Sequence, residues 1–217
     1  MGIAELNERE KQIIIHATII LYGDASSEAL SNIVAMDVAS HWNEPKASEH
    51  IKQNHYLVQF NITGVYAPSL MPQDVYENDE PLNNYFRVEE YAEGNISFVD
   101  GIGSNTGYFK LDNLLNNSTT AAHEFGHTIG LEHPQQLDIR GSGTPGIMYP
   151  RGTIVDPHFQ YDPAAAPATN GGTINPFTRK VLQKDIDDLH LNKLSFNKNG
   201  FAMLGAFSSV WHERHLQ

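Results

Sequence analysis

Cysteine is absent from this chain of 217 residues, basic residues are few, and no hydrophobic run is long. Without a thiol, the chain forms no disulfide, no cysteine–zinc or iron–sulfur site and no thiol nucleophile. Its 14 Lys and Arg against 26 Asp and Glu give a formal net charge of −12, which opposes binding to the phosphates of nucleic acid or of an anionic membrane. We therefore expect neither nucleic acid nor a membrane among its partners.

The longest apolar segment, Ile13 to Tyr22, is interrupted by His16 and Thr18. A helix that spans a membrane needs about 18 or more apolar residues in succession, so we expect no integral membrane segment. The length suits one domain over residues 1–217. Nothing in the sequence requires an assembly larger than a monomer.

Periodic apolar residues in the first half predict several strands and one helix between them. The predicted strands are residues 12–22, 56–65, 85–90, 95–99 and 106–111. Ser26 or Ser27 can cap the helix, which ends before Pro45. Its apolar face consists of residues four apart: Leu30, Val34, Val38 and Trp42. These elements predict an α+β fold in which a mixed, twisted sheet is backed by this helix.

The second half is dominated by one helix and a long irregular segment. The helix is predicted to begin with Asn117 or Ser118 as its cap and to end at Gly130. The segment from Pro134 to Pro176 holds 13 of the chain's 28 Gly and Pro residues, which excludes a helix or a long strand there. A connection of this length is functional or disordered in most domains. A third helix is predicted over residues 178–191, and the tail after it has no assignable pattern.

The segment from His123 to His133 reads H-E-x-x-H-x-x-G-x-x-H. On a helix, His123 and His127 lie one turn apart, so both imidazoles can reach one ion. Gly130 lets the chain leave the helix sharply, and His133 can then fold back as a third ligand. Three neutral imidazoles with a fourth position open to water are typical of a catalytic zinc site, beside which Glu124 would act as general base. This full pattern arises by chance in about one of seven thousand such chains.

Downstream, Gly146-Ile147-Met148-Tyr149-Pro150 resembles a Met-turn, and the two segments together resemble the metzincin clan of zinc endopeptidases. The resemblance implies an enzyme that binds one catalytic Zn²⁺ and hydrolyses internal bonds of a peptide or protein substrate. It also implies that Met148 lies beneath the three imidazoles. Met148-Tyr149-Pro150 is similar to the matrixin turn, whereas Gly130 to Pro134 is similar to the serralysin sequence, so the subfamily stays open.

The resemblance also implies a metzincin-like layout of two subdomains. An upper subdomain, about residues 1–130, would hold the sheet, the backing helix and the zinc helix. A lower subdomain, about residues 131–217, would hold the irregular Met-turn loop and the C-terminal helix. In metzincins the substrate pairs with an exposed antiparallel edge strand. Residues 95–99 are the first candidate for this edge, and residues 106–111 are the second.

Three side chains of the lower loop are candidates for binding the substrate or its oxyanion: Tyr149, His158 and Tyr161. Matrixins often carry a Tyr two residues after the Pro of the turn, where it helps to wall the pocket for the residue after the cleaved bond. This chain has Gly152 at that position. The resemblance therefore leaves the size of the pocket open.

A structural Ca²⁺ is a further candidate cofactor. Asp100 and Asp112 supply carboxylates, and the turn over residues 100–103 contains two glycines. Oxygen ligands in a tight, Gly-containing turn suit this ion. The pattern is not that of an EF-hand loop.

Several alternatives to the endopeptidase differ in the residues that they require. A deformylase-like amidohydrolase would use a Cys ligand, and a gluzincin would use a Glu on a later helix, but the chain has no Cys and no Glu between Glu132 and Glu213. A catalytically silent zinc-containing module that binds proteins stays open, although its simplest form would lack Glu124. A toxin or effector domain of a larger secreted protein also stays open. With no signal peptide visible, we expect a protein that is secreted or exported as part of a longer chain.

Overall fold

Strand β2 (Gln12–Tyr22) forms the centre of a mixed sheet, because its β-branched residues alternate between buried and half-buried positions. The structure is a computed structural model and describes residues 1–216. β2 pairs in parallel with β4 (Asn54–Tyr66) and β5 (Asn83–Glu89), and antiparallel with β1 (Gly2–Asn7). β1 pairs with the first half of β2, and β5 pairs with the second half. These two strands therefore lie along the same edge of β2.

The other strands extend the sheet on both sides. They are β3 (Ser48–Ile51) beside β4, β7 (Thr106–Lys110) beside β5, β6 (Phe98–Val99) beside β7, and β8 (Phe201–Leu204) beside β1. The main path of the sheet runs in the order β3-β4-β2-β5-β7-β6. β6 is therefore an edge strand, and it is antiparallel to its neighbour.

The α-helices of the described residues are α1 (Glu28–Asn43), α2 (Pro72–Tyr76), α3 (Thr120–Thr128) and α4 (Gln183–Asp187). The first predicted helix is confirmed as α1. Its cap is Ser27, whose hydroxyl accepts a hydrogen bond from the Leu30 N–H at 3.1 Å. Its predicted apolar face is buried. The mixed sheet and these helices make an α+β fold.

Trp42 joins α1 to α3. Its ring is buried, and its Nε1 donates to the carbonyl of Ala122 at 3.0 Å. The ring also contacts Phe60 of β4 and Phe125 of α3, with ring centroids 5.0 and 6.0 Å away. The backing helix therefore fixes the position of α3 against the sheet.

Two predicted strands differ from the structure. Of residues 95–99, only Phe98 and Val99 form a strand, because Gly94 and Asn95 have φ angles of 69° and 55° and turn the chain. Residues 106–111, the second candidate for the exposed edge, form β7, which lies between β5 and β6. That candidate was wrong, because both sides of β7 are paired. The short elements β1, β3, β8 and α2 were not predicted.

The third predicted helix, residues 178–191, is much shorter in the structure. Arg179 is extended, with a ψ angle of 148°, and its side chain reaches back to the residue before α3, so no helix begins there. The Leu182 N–H donates to the Asp185 carboxylate at 2.7 Å, which caps the start of α4. His190 takes a left-handed φ of 51° soon after its end.

The C-terminal tail packs on the face of the sheet opposite α1. Trp211 stacks on Tyr22 with ring centroids 4.6 Å apart, and His215 stacks on Tyr108 at 4.0 Å. This tail has no pattern from which its structure could be predicted, because its partners are far away in the chain. Within residues 1–216, no helix has the length and the apolar character needed to cross a membrane.

We predict that Trp42→Phe lowers the free energy of unfolding by about 1–3 kcal/mol, because it removes the bond to the Ala122 carbonyl and leaves a smaller ring in a closed space. Urea denaturation followed by circular dichroism measures the change. Trp211→Phe is the matched control, since Trp211 is only half-buried and the smaller ring can still stack on Tyr22. Equal losses in the two variants would contradict the central role of Trp42.

Candidate metal centre

Helix α3 carries the first two histidines of the motif, and all of its residues are buried. Its cap position is Thr119, rather than Asn117 or Ser118 as predicted. The difference arises because Asn116 and Asn117 have positive φ angles of 60° and 58°, so the chain still turns at these positions.

The three predicted metal ligands converge on one point. The Nε2 of His133 lies 3.0 Å from the Nε2 of His123 and 3.1 Å from the Nε2 of His127. Nitrogen ligands at 2.0–2.1 Å from a tetrahedral zinc ion are about 3.3 Å apart, so the three imidazoles fit this ion. Within residues 1–216, no other group of three His, Cys, Asp or Glu side chains meets at such distances.

Backbone carbonyls set the tautomer of two of these rings. The Nδ1 of His123 lies 2.7 Å from the carbonyl of Ile147, and the Nδ1 of His127 lies 2.7 Å from that of Leu131. Because a carbonyl only accepts, each Nδ1 carries the hydrogen, which leaves the Nε2 lone pair for a metal ion. Burial lowers the pKa of His123, His127 and His133, which favours the neutral rings that bind metal.

Gly130 turns the chain at the end of α3. Its φ angle is 106°, a conformation that favours glycine. The Leu131 N–H donates to the Gly126 carbonyl at 2.9 Å, which closes the end of the helix. The reversal brings His133 back beside the two helical histidines.

Met148 packs against α3 where the helix has no side chain. A Cβ atom added to Gly126 would overlap the Met148 sulfur and lie 3.2 Å from the Trp42 ring. The Asp185 carboxylate accepts hydrogen bonds from backbone N–H groups, including that of Ile147, so α4 holds the turn that carries Met148. Burial raises the pKa of Asp185 to about 6.

Glu124 faces the same cleft as the three histidines. The cleft has a volume of about 390 Å³ and lies between β6, α3 and the segment Pro150–Arg151. Burial raises the pKa of Glu124 to about 8, against the opposing effects of the Arg179 charge and a hydrogen bond from the Val99 N–H. The carboxylate therefore lies beside the metal-binding point, between the edge strand and the helix.

Sequence reasoning missed two residues of this cleft, Arg151 and Arg179. Neither has an acidic residue within four positions in the sequence. All other arginines have one: Arg9, Arg87, Arg140 and Arg214. This isolation from acidic neighbours was a signal that could have identified both.

None of the three candidate residues for binding the substrate or its oxyanion lines the cleft that holds Glu124. Tyr149 lines a second cleft beyond His133. His158 is exposed, and its ring lies against Phe159. Tyr161 is exposed and lies close enough to Arg179 to affect its pKa. Their proposed roles stay predictions.

The structure does not bring the two calcium candidates together. The Asp100 carboxylate lies 2.9 Å from His212 and accepts a hydrogen bond from Thr106. Asp112 lies 3.0 Å from the amino group of Lys110. Each carboxylate thus has a protein partner of its own, and the calcium ion stays a prediction.

Comparison with known proteins adds no family assignment. No protein-family model and no curated protein matches the chain. The residues themselves establish an α+β fold with three histidines close enough together to bind a metal ion such as zinc.

We predict that the dialysed protein binds one zinc ion per chain. His127→Ala should lower zinc affinity by more than about 100-fold, because one of the three histidine ligands is lost. Competition with a chromophoric chelator measures both quantities. His158→Ala is the matched control, because this exposed histidine is outside the cleft. Unchanged zinc binding in His127→Ala would contradict the assignment of the ligands.

We predict that Gly126→Ala destabilises the metal-free protein by about 1–3 kcal/mol, because the new methyl group displaces Met148 from a packed position. Zinc affinity should fall as well, since the turn before Met148 orients His123. Urea denaturation and chelator competition measure the two effects. Gly101→Ala is the control, because a Cβ atom there meets nothing within 4 Å. A Gly126→Ala protein as stable as this control would contradict the packing argument.

Proposed function

We propose that this protein is a zinc-dependent endopeptidase of the metzincin type, with residues 1–217 as its catalytic domain. The proposal is carried by the placement of Glu124 in the cleft where the Nε2 atoms of three histidines converge. Two features support it further: Met148 packs against α3, and an antiparallel edge strand borders the cleft. The upper subdomain would end near residue 130, where α3 ends and the irregular half begins.

The residues of the cleft divide the chemistry between them. When bound, zinc would polarise a substrate carbonyl and lower the pKa of a water molecule to about 7. His123, His127 and His133 would hold the ion through Nε2, and the carbonyls of Ile147 and Leu131 would fix the orientations of the first two rings. The Glu124 carboxylate would accept a proton from the attacking water and deliver it to the leaving amine nitrogen.

The substrate would lie along β6. This strand pairs with β7 on one side, and its residues Phe98 and Val99 line the cleft. An extended peptide can add to such an edge through main-chain hydrogen bonds. Its scissile carbonyl would then lie between the edge strand and the histidines, beside Glu124.

We predict that the zinc-loaded protein cleaves internal bonds in a proteome-derived peptide library and that Glu124→Gln lowers the rate by about 10²–10⁴-fold, because the variant keeps the shape but loses the proton acceptor. Mass spectrometry of the products measures cleavage at matched zinc content. Glu90→Gln is the control, since Glu90 is exposed and outside the cleft.

Bound zinc without turnover of any peptide would contradict the endopeptidase. A catalytically silent zinc module that binds proteins would then be the better account. Equal activity in the wild type and Glu124→Gln would instead contradict the role of Glu124 and leave peptide hydrolysis in place. A toxin or effector role would rest on the same hydrolysis.

A further inference from the structure

The pairing of the arginines distinguishes the cleft from the rest of the protein. The chain contains six arginines, and four of them form salt bridges: Arg9 with Glu10, Arg87 with Glu89, Arg140 with Asp138 and Arg214 with Asp24. Across the described residues 1–216, the other two form none. These two, Arg151 and Arg179, both line the cleft that holds Glu124.

Arg179 is buried, with only 5% of its surface exposed, and the protein holds its guanidinium from one side. The Nε and Nη2 atoms donate to the Thr119 hydroxyl at 3.1 and 2.9 Å, and Nη1 donates to the Tyr149 carbonyl at 2.9 Å. Nη1 also lies 3.0 Å from the Nδ1 of His123. That nitrogen already donates to the Ile147 carbonyl, so it cannot accept.

The guanidinium of Arg179 therefore has more N–H groups than acceptors. Nη1 and Nη2 carry two hydrogens each, and each nitrogen has one good acceptor among the described residues. The second N–H of Nη2 has no acceptor among these residues, whereas Nη1 also directs a hydrogen at the Nδ1 of His123. A guanidinium N–H without an acceptor can donate a charge-assisted hydrogen bond to a carboxylate oxygen.

The charges of the cleft favour the same kind of ligand. Glu124 is the one acidic side chain in its lining, against Arg151 and Arg179. Arg151 is exposed at the rim, where its closest polar contact is the Asn113 side chain at 3.5 Å. A protein with a net charge of −12 thus carries a local excess of positive charge in this cleft. The charge of Glu124 acts on Arg179 across the cleft without forming a salt bridge, so an anionic ligand in contact with the guanidinium would offset the cost of burying it.

We propose that the cleft recognises a carboxylate of the substrate, with Arg179 at its base and Arg151 at its rim. The inference rests on the proposed peptidase function and narrows its substrates to peptides with a carboxylate next to the cleaved bond. Two sources supply this group: the side chain of an Asp or Glu residue, and the free C-terminus of a peptide that ends at this point.

The first test reads the preference of the zinc-loaded wild type from its cleavage sites in a peptide library. We expect Asp and Glu, or chain ends, to be enriched at one position beside the cleaved bond. Two internal peptides that differ only by Glu or Gln at that position should differ at least tenfold in kcat/KM when the side chain is the source. Cleavage without enrichment of either kind overturns the inference and leaves the proposed function standing.

A binding measurement decides the inference even where no peptide is cleaved. Zinc-loaded Glu124→Ala protein is titrated with fluorescent hexapeptides that contain a central Glu or Gln, each with a free or an amidated C-terminus. Fluorescence anisotropy gives the four Kd values. Tighter binding of the Glu peptides assigns the side chain, and tighter binding of the free acids assigns the chain end. Either result, at tenfold or more, supports the inference, and four equal values overturn it.

The arginine variants separate this contact from direct ligation of zinc by the carboxylate. In the Glu124→Ala background, Arg151→Gln and Arg179→Lys should each reduce the preference at least threefold, whereas Arg140→Gln, a paired arginine outside the cleft, should retain it. Arg151 is exposed, so its substitution tests the inference if Arg179→Lys fails to fold. A preference that survives in the folded variants overturns the inference.

Discussion

The contact between Gly126 and Met148 is the constraint on which the site depends. A glycine at this point of α3 lets the Met148 sulfur and the Trp42 ring both approach the helix backbone. Trp42 belongs to α1, and Met148 belongs to the irregular half of the chain. Because Gly126 has no side chain, residues from both halves of the chain can pack against α3. Because α3 is held from both sides, His123 and His127 point in fixed directions before any metal binds. A side chain at position 126 would displace both Met148 and Trp42.

Ile147 extends this constraint from packing to hydrogen bonding. Its carbonyl accepts from the Nδ1 of His123 at 2.7 Å, while its N–H donates to Asp185 in α4. Through its N–H and its carbonyl, Ile147 thus links α4 to the metal ligand His123. The buried carboxylate is tolerated because backbone donors satisfy it. The segment around Met148 has no regular secondary structure, but these contacts of Ile147 hold its backbone in place near the site.

Local signals predicted the parts of the protein that local interactions build. The cap and apolar stripe of α1, the long strands β2 and β4, and the spacing of the three histidines all depend on residues close together in sequence. The sequence overestimated the helix over residues 178–191 because its apolar periodicity does not reveal that Arg179 reaches the residue before α3. The existence of β8 depends on pairing with a distant segment in the same way, whereas β6 is short because Gly94 and Asn95 turn the chain before it.

The net charge of the protein and the charge of Arg179 in the cleft act on a substrate at different distances. A net charge of −12 repels an acidic peptide at a distance, but salt screens that repulsion beyond about 8–10 Å. Inside the cleft, Arg179 is buried and its charge is screened much less. Recognition of a carboxylate would therefore take place after contact, through desolvated N–H groups, rather than through long-range attraction. An acidic protein with isolated arginines at its proposed active site can thus remain selective without attracting anions over its whole surface.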